Sequence, residues 1–422
     1  MKFNKTILSN GLRLITVPMK DNPTVTVMVL VEAGSKYESK DISGISHFLE
    51  HMCFKGTGAR PTALHIAKEL DSIGSQCNAF TSHEFTGYFA KADYKHKDKI
   101  LDIVSDLYLN PTLPEKEIEK EKGVIIEEIN MYEDLPQRKV GELFFEVLYG
   151  DQPAGWNIVG TKETVKATTR DALAEYRERN YVSGATTVLI CGNIDEEAAK
   201  NAVMEKFTAI SAGEKHKKTK VEELQASPAV CASYKKTDQS HVVIGARTFD
   251  VYDKRNATLK VLTAILGGGM SSRLFQKVRE EMGAAYYVRA ETDAYTDHGY
   301  LAVSAGVQHG KIKEVIEAIL GEFKKIKENT VEDEEVKKAK DYLTGNFLLS
   351  LESSDSLADY YGYQEVLKKE LKKPEEAVAE INAVNAGHVY DLAKDIFKNE
   401  KLNMAVIGPY EETKEFEDIL HF

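Results

Sequence analysis

His47 and His51 stand four residues apart, with Glu50 between them, in the run His47-Phe48-Leu49-Glu50-His51. On a helix that spacing sends both imidazoles off one face, one turn apart. Two nitrogens so placed reach one tetrahedral zinc ion at about 2.0–2.1 Å. Glu50 lies at the edge of the same face, near enough to a bound ion to handle a proton there. The pattern H-x-x-E-H inverts the commoner H-E-x-x-H and suits the same chemistry, hydrolysis by a metal-activated water with a carboxylate as base. Two histidines at this spacing also arise by chance; the setting is what singles out this pair. Ile45, Phe48, Leu49, Met52 and Phe54 are apolar around the polar trio, and buried imidazoles and carboxylates need partners. Ser43-Gly44-Ile45-Ser46 supplies cap-type residues in front of the helix.

The surrounding pattern alternates strands and helices. Residues 12–17 and 24–31 are rich in β-branched side chains, after an Asn10-Gly11 turn. Beyond the motif, Thr62 caps a helix carrying Ile66, Leu70 and Ile73 and stopped by Gly74, and strands are expected at 76–82 and 85–91. A helix over 97–109 ends at Asn110-Pro111, and Pro114 opens another over 115–132 with an apolar stripe of Ile118, Ile125, Ile129 and Tyr132. Glu121 and Glu128 fall on or beside that stripe, two turns or about 10.5 Å apart. Glu115, Glu117 and Glu119 read as solvated. Acids on an inner stripe need a reason: a third zinc ligand is one, and an acid orienting a ligand imidazole is another. Gly123 in mid-helix costs about 1 kcal/mol relative to Ala, and close approach to the motif helix is the expected reason.

A chain of 422 residues favours two or three domains. Its 42% apolar and 29% charged content is that of a globular protein. No run of 18 uncharged apolar residues is present, so no membrane span is expected. Met1-Lys2-Phe3-Asn4-Lys5-Thr6 offers no apolar signal region, which makes the cytoplasm the expected compartment. Cys53, Cys77, Cys191 and Cys231 are far apart and read as reduced thiols. The net charge of -12 argues against non-specific nucleic-acid binding.

A buried strand at 188–193 and a helix at 196–207 close the first half. Residues 212–228 read as a linker, with Lys215-His216-Lys217-Lys218 as a solvated run. The second half repeats the first in outline: a strand at 242–247, helices at 257–265 and 273–281, strands at 285–293 and 300–307, and helices at 311–328 and 332–351. This is a degenerate duplication in which His47 and His51 have no counterparts. Gly267-Gly268-Gly269 lacks a following G-K-[ST] and reads as a turn rather than a phosphate loop.

Residues 47–57 (HFLEHMCFKGT) with 121–134 (EKGVIIEEINMYED) resemble the pitrilysin/insulinase family of inverted-motif zinc peptidases. The likeness is closest to the mitochondrial-processing-peptidase-like branch of short chains. It continues through Gly155-Trp156-Asn157-Ile158-Val159-Gly160-Thr161 and Asn180-Tyr181 and covers essentially the whole chain. The family's third ligand is a Glu 77 positions after the second His, which falls on Glu128; its acid seven residues earlier falls on Glu121. Its Arg and Tyr that help hold the substrate carbonyl match Arg279 and Tyr286, with Tyr287 a competing phenol. Asn78-Ala79-Phe80-Thr81 matches the edge strand along which an extended peptide is bound by β-augmentation.

The resemblance therefore implies an α+β fold of two homologous α/β sandwich domains, with mixed, mainly antiparallel sheets, forming half of a clamshell peptidase. The domains are expected at 1–211 (zinc-binding) and 229–422 (metal-free, supplying substrate-binding residues), joined by 212–228. The implied activity is that of a zinc-dependent endopeptidase acting on peptides or unfolded segments in an enclosed chamber. One zinc per chain would sit on His47, His51 and Glu128, with Glu50 as general base and Glu121, Arg279 and Tyr286 in support. The alternative is a non-catalytic subunit that binds peptides or partners. The expected assembly is a homodimer, or a heterodimer with a related subunit, with no nucleic-acid or membrane partner.

Overall fold

The β-branched runs pair into sheets in the computed structural model, which describes residues 2–422. Two compact units result. The first holds a six-stranded sheet of β1 (Asn4–Ile7), β2 (Arg13–Pro18), β3 (Thr24–Val31), β4 (Gln76–Thr81), β5 (Thr86–Asp93) and β6 (Thr186–Gly192), in the order β1-β2-β6-β3-β5-β4. Only β2 and β6 run parallel; the other neighbours are antiparallel. β3 and β6 are buried almost throughout, which is why they read as continuous apolar runs rather than alternating ones.

Alternation along the strands sends side chains to two differently covered faces. Tyr88 of β5 turns to the face covered by α3 (Lys97–Leu109), where its ring meets Tyr108 at 5.9 Å. On the other face Leu30 and Leu189 lie under Gly362, in the helix Ser354–Lys368. Glu365 of that helix is fully buried and pairs with Lys5 at 2.7 Å and Arg13 at 3.2 Å. A carboxylate cannot be buried without such partners, so the ion pairs fix where this helix docks.

The second unit holds β7 (Ala229–Tyr234), β8 (Ser240–Thr248), β9 (Ala285–Ala294), β10 (Gly299–Val307) and β11 (Leu402–Gly408), in the order β7-β11-β8-β10-β9. Strand for strand this repeats β2-β6-β3-β5-β4, including the single parallel pair, β7 with β11. The duplication legible in the sequence is thus a duplication of topology. Here the covering helix is α5 (Pro136–Tyr149), whose Val140, Phe144 and Leu148 join a core with Val243, Ala302 and Ala405.

The units consequently differ from a division at 212–228 in two segments. Residues 349–373 belong to the first unit and residues 131–155 to the second. Each sheet has an apolar face that must be covered, and in each case the cover comes from the distant part of the chain. The run at 215–218 is solvated only at His216 and Lys217, which are exposed. Lys215 pairs with buried Glu32 at 2.5 Å and Lys218 with buried Glu84 at 3.1 Å, while Ser183 and Gly184 donate to the carbonyls of Ser211 and Gly213. Residues 275–281, expected as an α-helix, wind as a π-helix. Among the described residues no helix is long and apolar enough to cross a membrane.

One buried imidazole sets a pH dependence. His83 lies with Nδ1 3.0 Å from the Ser35 hydroxyl, and burial, aided by the Lys36 charge, pushes its pKa down to about 4. The unfolded chain binds that proton near pH 6.5, so the fold loses stability as pH falls from 6.5 towards 4, by about 3 kcal/mol from this group. The melting temperature of a metal-free His83→Asn variant should therefore rise relative to that of the wild type as pH falls over that interval, a comparison in which the opposite contribution of Glu38, with its pKa raised to about 7, cancels.

Candidate metal centre

The motif forms α1 (Ile45–Cys53), with Ile45, Phe48, Leu49, Met52 and Cys53 buried beneath it, and α2 (Ala63–Asp71) follows. Its N-terminus is capped in a way the local sequence does not announce. Gly44 is the N-cap residue, with φ +92° and no side chain to contribute. The cap is instead the carboxylate of Glu38, which accepts from the Gly44 N–H at 2.7 Å and the Ser46 N–H at 2.9 Å. Burial raises the Glu38 pKa to about 7 against the pull of these donors. A side chain at Gly44 would also strike the Val159 carbonyl, 2.6 Å from where its Cβ would lie. That close approach explains why both Gly44 and the stretch ending in Gly160 are needed. The Ser46 hydroxyl meets the Tyr176 phenol at 2.7 Å, which further pins the first turn.

The polar face of α1 meets α4 (Glu115–Asp134). Ile118, Glu121, Ile125 and Ile129 form the buried stripe of α4, and Glu128 is partly buried beside it. Glu128 Oε2 lies 3.6 Å from His47 Nε2 and 3.7 Å from His51 Nε2. The three donor atoms all fall within 4.8 Å of one another. A tetrahedral ion with bonds of about 2.0–2.1 Å separates its donors by roughly 3.3–3.4 Å, so each imidazole stands within a few tenths of an ångström of the separation from Glu128 that a shared ion requires. The donor set, two imidazoles and a carboxylate, suits zinc.

Glu121 does not face the same point. Its Oε1 accepts from His51 Nδ1 at 2.8 Å, and its Oε2 pairs with Lys55 at 2.6 Å. The hydrogen bond fixes the His51 tautomer, with Nδ1 protonated and Nε2 free to coordinate. Lys55 and His51 together hold the Glu121 pKa below the usual carboxylate range despite its burial. Glu121→Ala should weaken zinc binding by about 10–100-fold, as chelator competition would measure. Lys55 gives no local signal of this role in the sequence, since it lies two residues beyond the end of α1. Glu38 carried no local signal at all.

Glu50 points to the strand side of α1. Thr81 Oγ1 donates to its Oε2 at 2.5 Å. Burial raises the Glu50 pKa, opposed by that hydrogen bond and by His51, with Glu128 adding to the rise. Asn78, Ala79, Phe80 and Thr81 lie on β4, the last strand of its sheet. Phe80 faces away from α1, with its ring over Gly87, where a Cβ would come within 2.3 Å of the ring, and edge-on to Tyr363 at 6.2 Å. β4 is thereby anchored on one face and presents Thr81 on the other.

Gly123 departs from expectation. A Cβ there would meet nothing within 4 Å, so no close approach requires this glycine, and it faces solvent. Arg279 and Tyr286 lie in the second unit. Arg279 stacks its guanidinium 4.8 Å above the Phe275 ring, and Tyr286 is 79% exposed on β9. Tyr287 is engaged instead, with its hydroxyl 3.1 Å from His241 Nδ1 and its pKa pushed up to about 12 by burial. Tyr286 is therefore the accessible phenol of the pair. β9 also occupies in its sheet the edge position that β4 holds in the other.

Two sheets of one topology, one of them carrying an H-x-x-E-H helix that faces a glutamate, define a duplicated chain of the inverted-motif peptidase type. Residues 13–162 match the family model described as insulinase (peptidase family M16), and residues 167–343 match the one described as peptidase M16 inactive domain. The chain is 37% identical to the uncharacterized zinc protease YmxG of Bacillus subtilis, over 95% of this chain and 97% of that protein. It is 33% identical to an uncharacterized zinc protease of Rickettsia felis, over 96% and 98%. Its fold is similar to the crystal structure of a protease from Helicobacter pylori, with a TM-score of 0.91 at 23% identity over 97% and 100% of the two chains. The chain belongs to the pitrilysin/insulinase family, peptidase family M16, and the names of its relatives support a protease role.

Proposed function

We infer that the protein is a zinc-dependent endopeptidase with one zinc per chain. The observation that carries this reading is the convergence of His47 Nε2, His51 Nε2 and Glu128 Oε2 at separations of 3.6 and 3.7 Å. These three residues would hold the ion. When bound, zinc lowers the pKa of a coordinated water towards about 7 and polarises the scissile carbonyl.

Glu50 takes the proton of the attacking water and returns it to the departing amine. Partial burial raises its pKa, which makes it a better proton acceptor. Glu121 holds His51 in the ligating tautomer. An extended peptide adds its backbone to the open edge of β4, at Asn78–Thr81, which selects for unfolded segments rather than for particular side chains. Arg279 and Tyr286 are given the substrate carbonyl by the family resemblance, and the exposure of Tyr286 suits a phenol that donates to a ligand. The alternative, a non-catalytic subunit, has against it that all three ligands and Glu50 are present. Enclosure of the peptide would follow from pairing with a second copy or a related subunit. A sedimentation mass near 47.2 kDa with full activity would exclude that assembly. The four cysteines are all thiols, which suits a cytoplasmic location.

The test is mass-spectrometric mapping of cuts in a mixed peptide library. Internal cuts by the zinc-loaded protein, lost with a chelator and restored by zinc, are expected. Absence of cuts by protein holding stoichiometric zinc would contradict the reading.

A further inference from the structure

We propose that Thr81 is the positioning residue of the catalytic base, and that through it the substrate-binding strand controls how Glu50 is aimed. The inference rests on the endopeptidase reading given above. Thr81 Oγ1 donates to Glu50 Oε2 at 2.5 Å, so that oxygen is occupied and Oε1 is the one left to take the proton from water. A carboxylate on a helix has two rotatable bonds before its terminal torsion. Glu50 is only partly buried, and Thr81 supplies the fixed donor that selects one orientation.

The donor is itself held by the strand. Thr81 is the last residue of β4, opposite Thr86 in the register. The Thr86 hydroxyl is tied to the Ala33 carbonyl at 2.9 Å, and Ser82 donates to the Phe85 carbonyl at 2.9 Å. One residue earlier, Phe80 is seated over Gly87 and against Phe85 and Tyr363. The open edge of this same strand is where an extended peptide would pair. The Thr81–Glu50 hydrogen bond stands with no peptide on the strand, so the base is aligned before a peptide docks.

Thr81→Val keeps the shape and removes the donor; Thr81→Ser restores it. A hydrogen bond to a charged group at this strength predicts a fall in kcat of about 10–100-fold in Thr81→Val, with KM and zinc content unchanged, and recovery of most of the loss in Thr81→Ser. Wild-type kcat in Thr81→Val would overturn the proposal. So would a raised KM at constant kcat, which would make Thr81 a binding residue only, or a Thr81→Ser variant as slow as Thr81→Val. A second readout needs no turnover. In the metal-free protein, the melting-temperature shift caused by Thr81→Val should shrink in a Glu50→Ala background, because the partner is already gone. Equal shifts in both backgrounds would mean that the two side chains are not coupled. If the wild type itself fails to cleave peptides, the endopeptidase reading falls, and the melting comparison still decides whether Thr81 holds Glu50.

Discussion

Glu50→Gln will bind zinc stoichiometrically and lose peptide hydrolysis, with kcat lower by about 10²–10⁴-fold. The substitution keeps the size of the side chain and its hydrogen bond from Thr81, but an amide cannot accept the proton from water. Glu50 takes no part in the close approach of His47, His51 and Glu128, so metal content should not change. The raised pKa of Glu50 comes chiefly from burial, so the neutral amide should be tolerated and the melting temperature should not fall. Elemental analysis beside a quenched-peptide assay separates the two effects. Retained turnover in a zinc-replete Glu50→Gln would remove Glu50 from the chemistry.

Glu128→Ala will lose the metal itself, and with it all activity. Removal of a direct ligand should cost more than the 10–100-fold that follows loss of an outer partner such as Glu121. Two imidazoles alone would hold the ion with one protein ligand fewer than the wild type offers. A second consequence is thermal. Zinc at about 100 times its dissociation constant stabilises the wild type by about 2.7 kcal/mol, and Glu128→Ala should show no zinc-dependent rise in melting temperature. Glu127→Gln is the matched control, since Glu127 is exposed on the same helix, one residue away. Equal zinc affinity in Glu128→Ala and Glu127→Gln would show that residue 128 is not a ligand.

Much of the site was legible because it is written in periodicity. The i, i+4 histidines fall on one face of any helix. Ile118, Ile125 and Ile129 mark the stripe of α4, on which Glu121 is buried. What periodicity omits is which surface an amphipathic element covers. Residues 136–149 and 354–368 are ordinary helices by pattern, and only the packed structure shows that each covers a sheet built largely from the other half of the chain. β7 and β11 pair in parallel with each other although they lie far apart in sequence, a pairing that no local pattern announces.

Long-range polar partners were likewise hidden. Glu38 caps α1 from outside the helix, and the link between Thr81 and Glu50 depends on how β4 sits beside α1. Lys215 and Lys218 read as solvated because their partners, Glu32 and Glu84, are far away in sequence. Gly123 shows the reverse error. A glycine in mid-helix invites a packing explanation, and here the space around it is open.

The most direct measurement is X-ray absorption at the zinc edge on reconstituted wild-type protein, paired with the Glu128→Ala variant. The expected spectrum is that of four light-atom donors at about 2.0–2.1 Å with the multiple scattering of two imidazoles, and no such site in the variant. A sulfur shell near about 2.3 Å, or an unchanged spectrum in Glu128→Ala, would contradict a centre built from His47, His51 and Glu128.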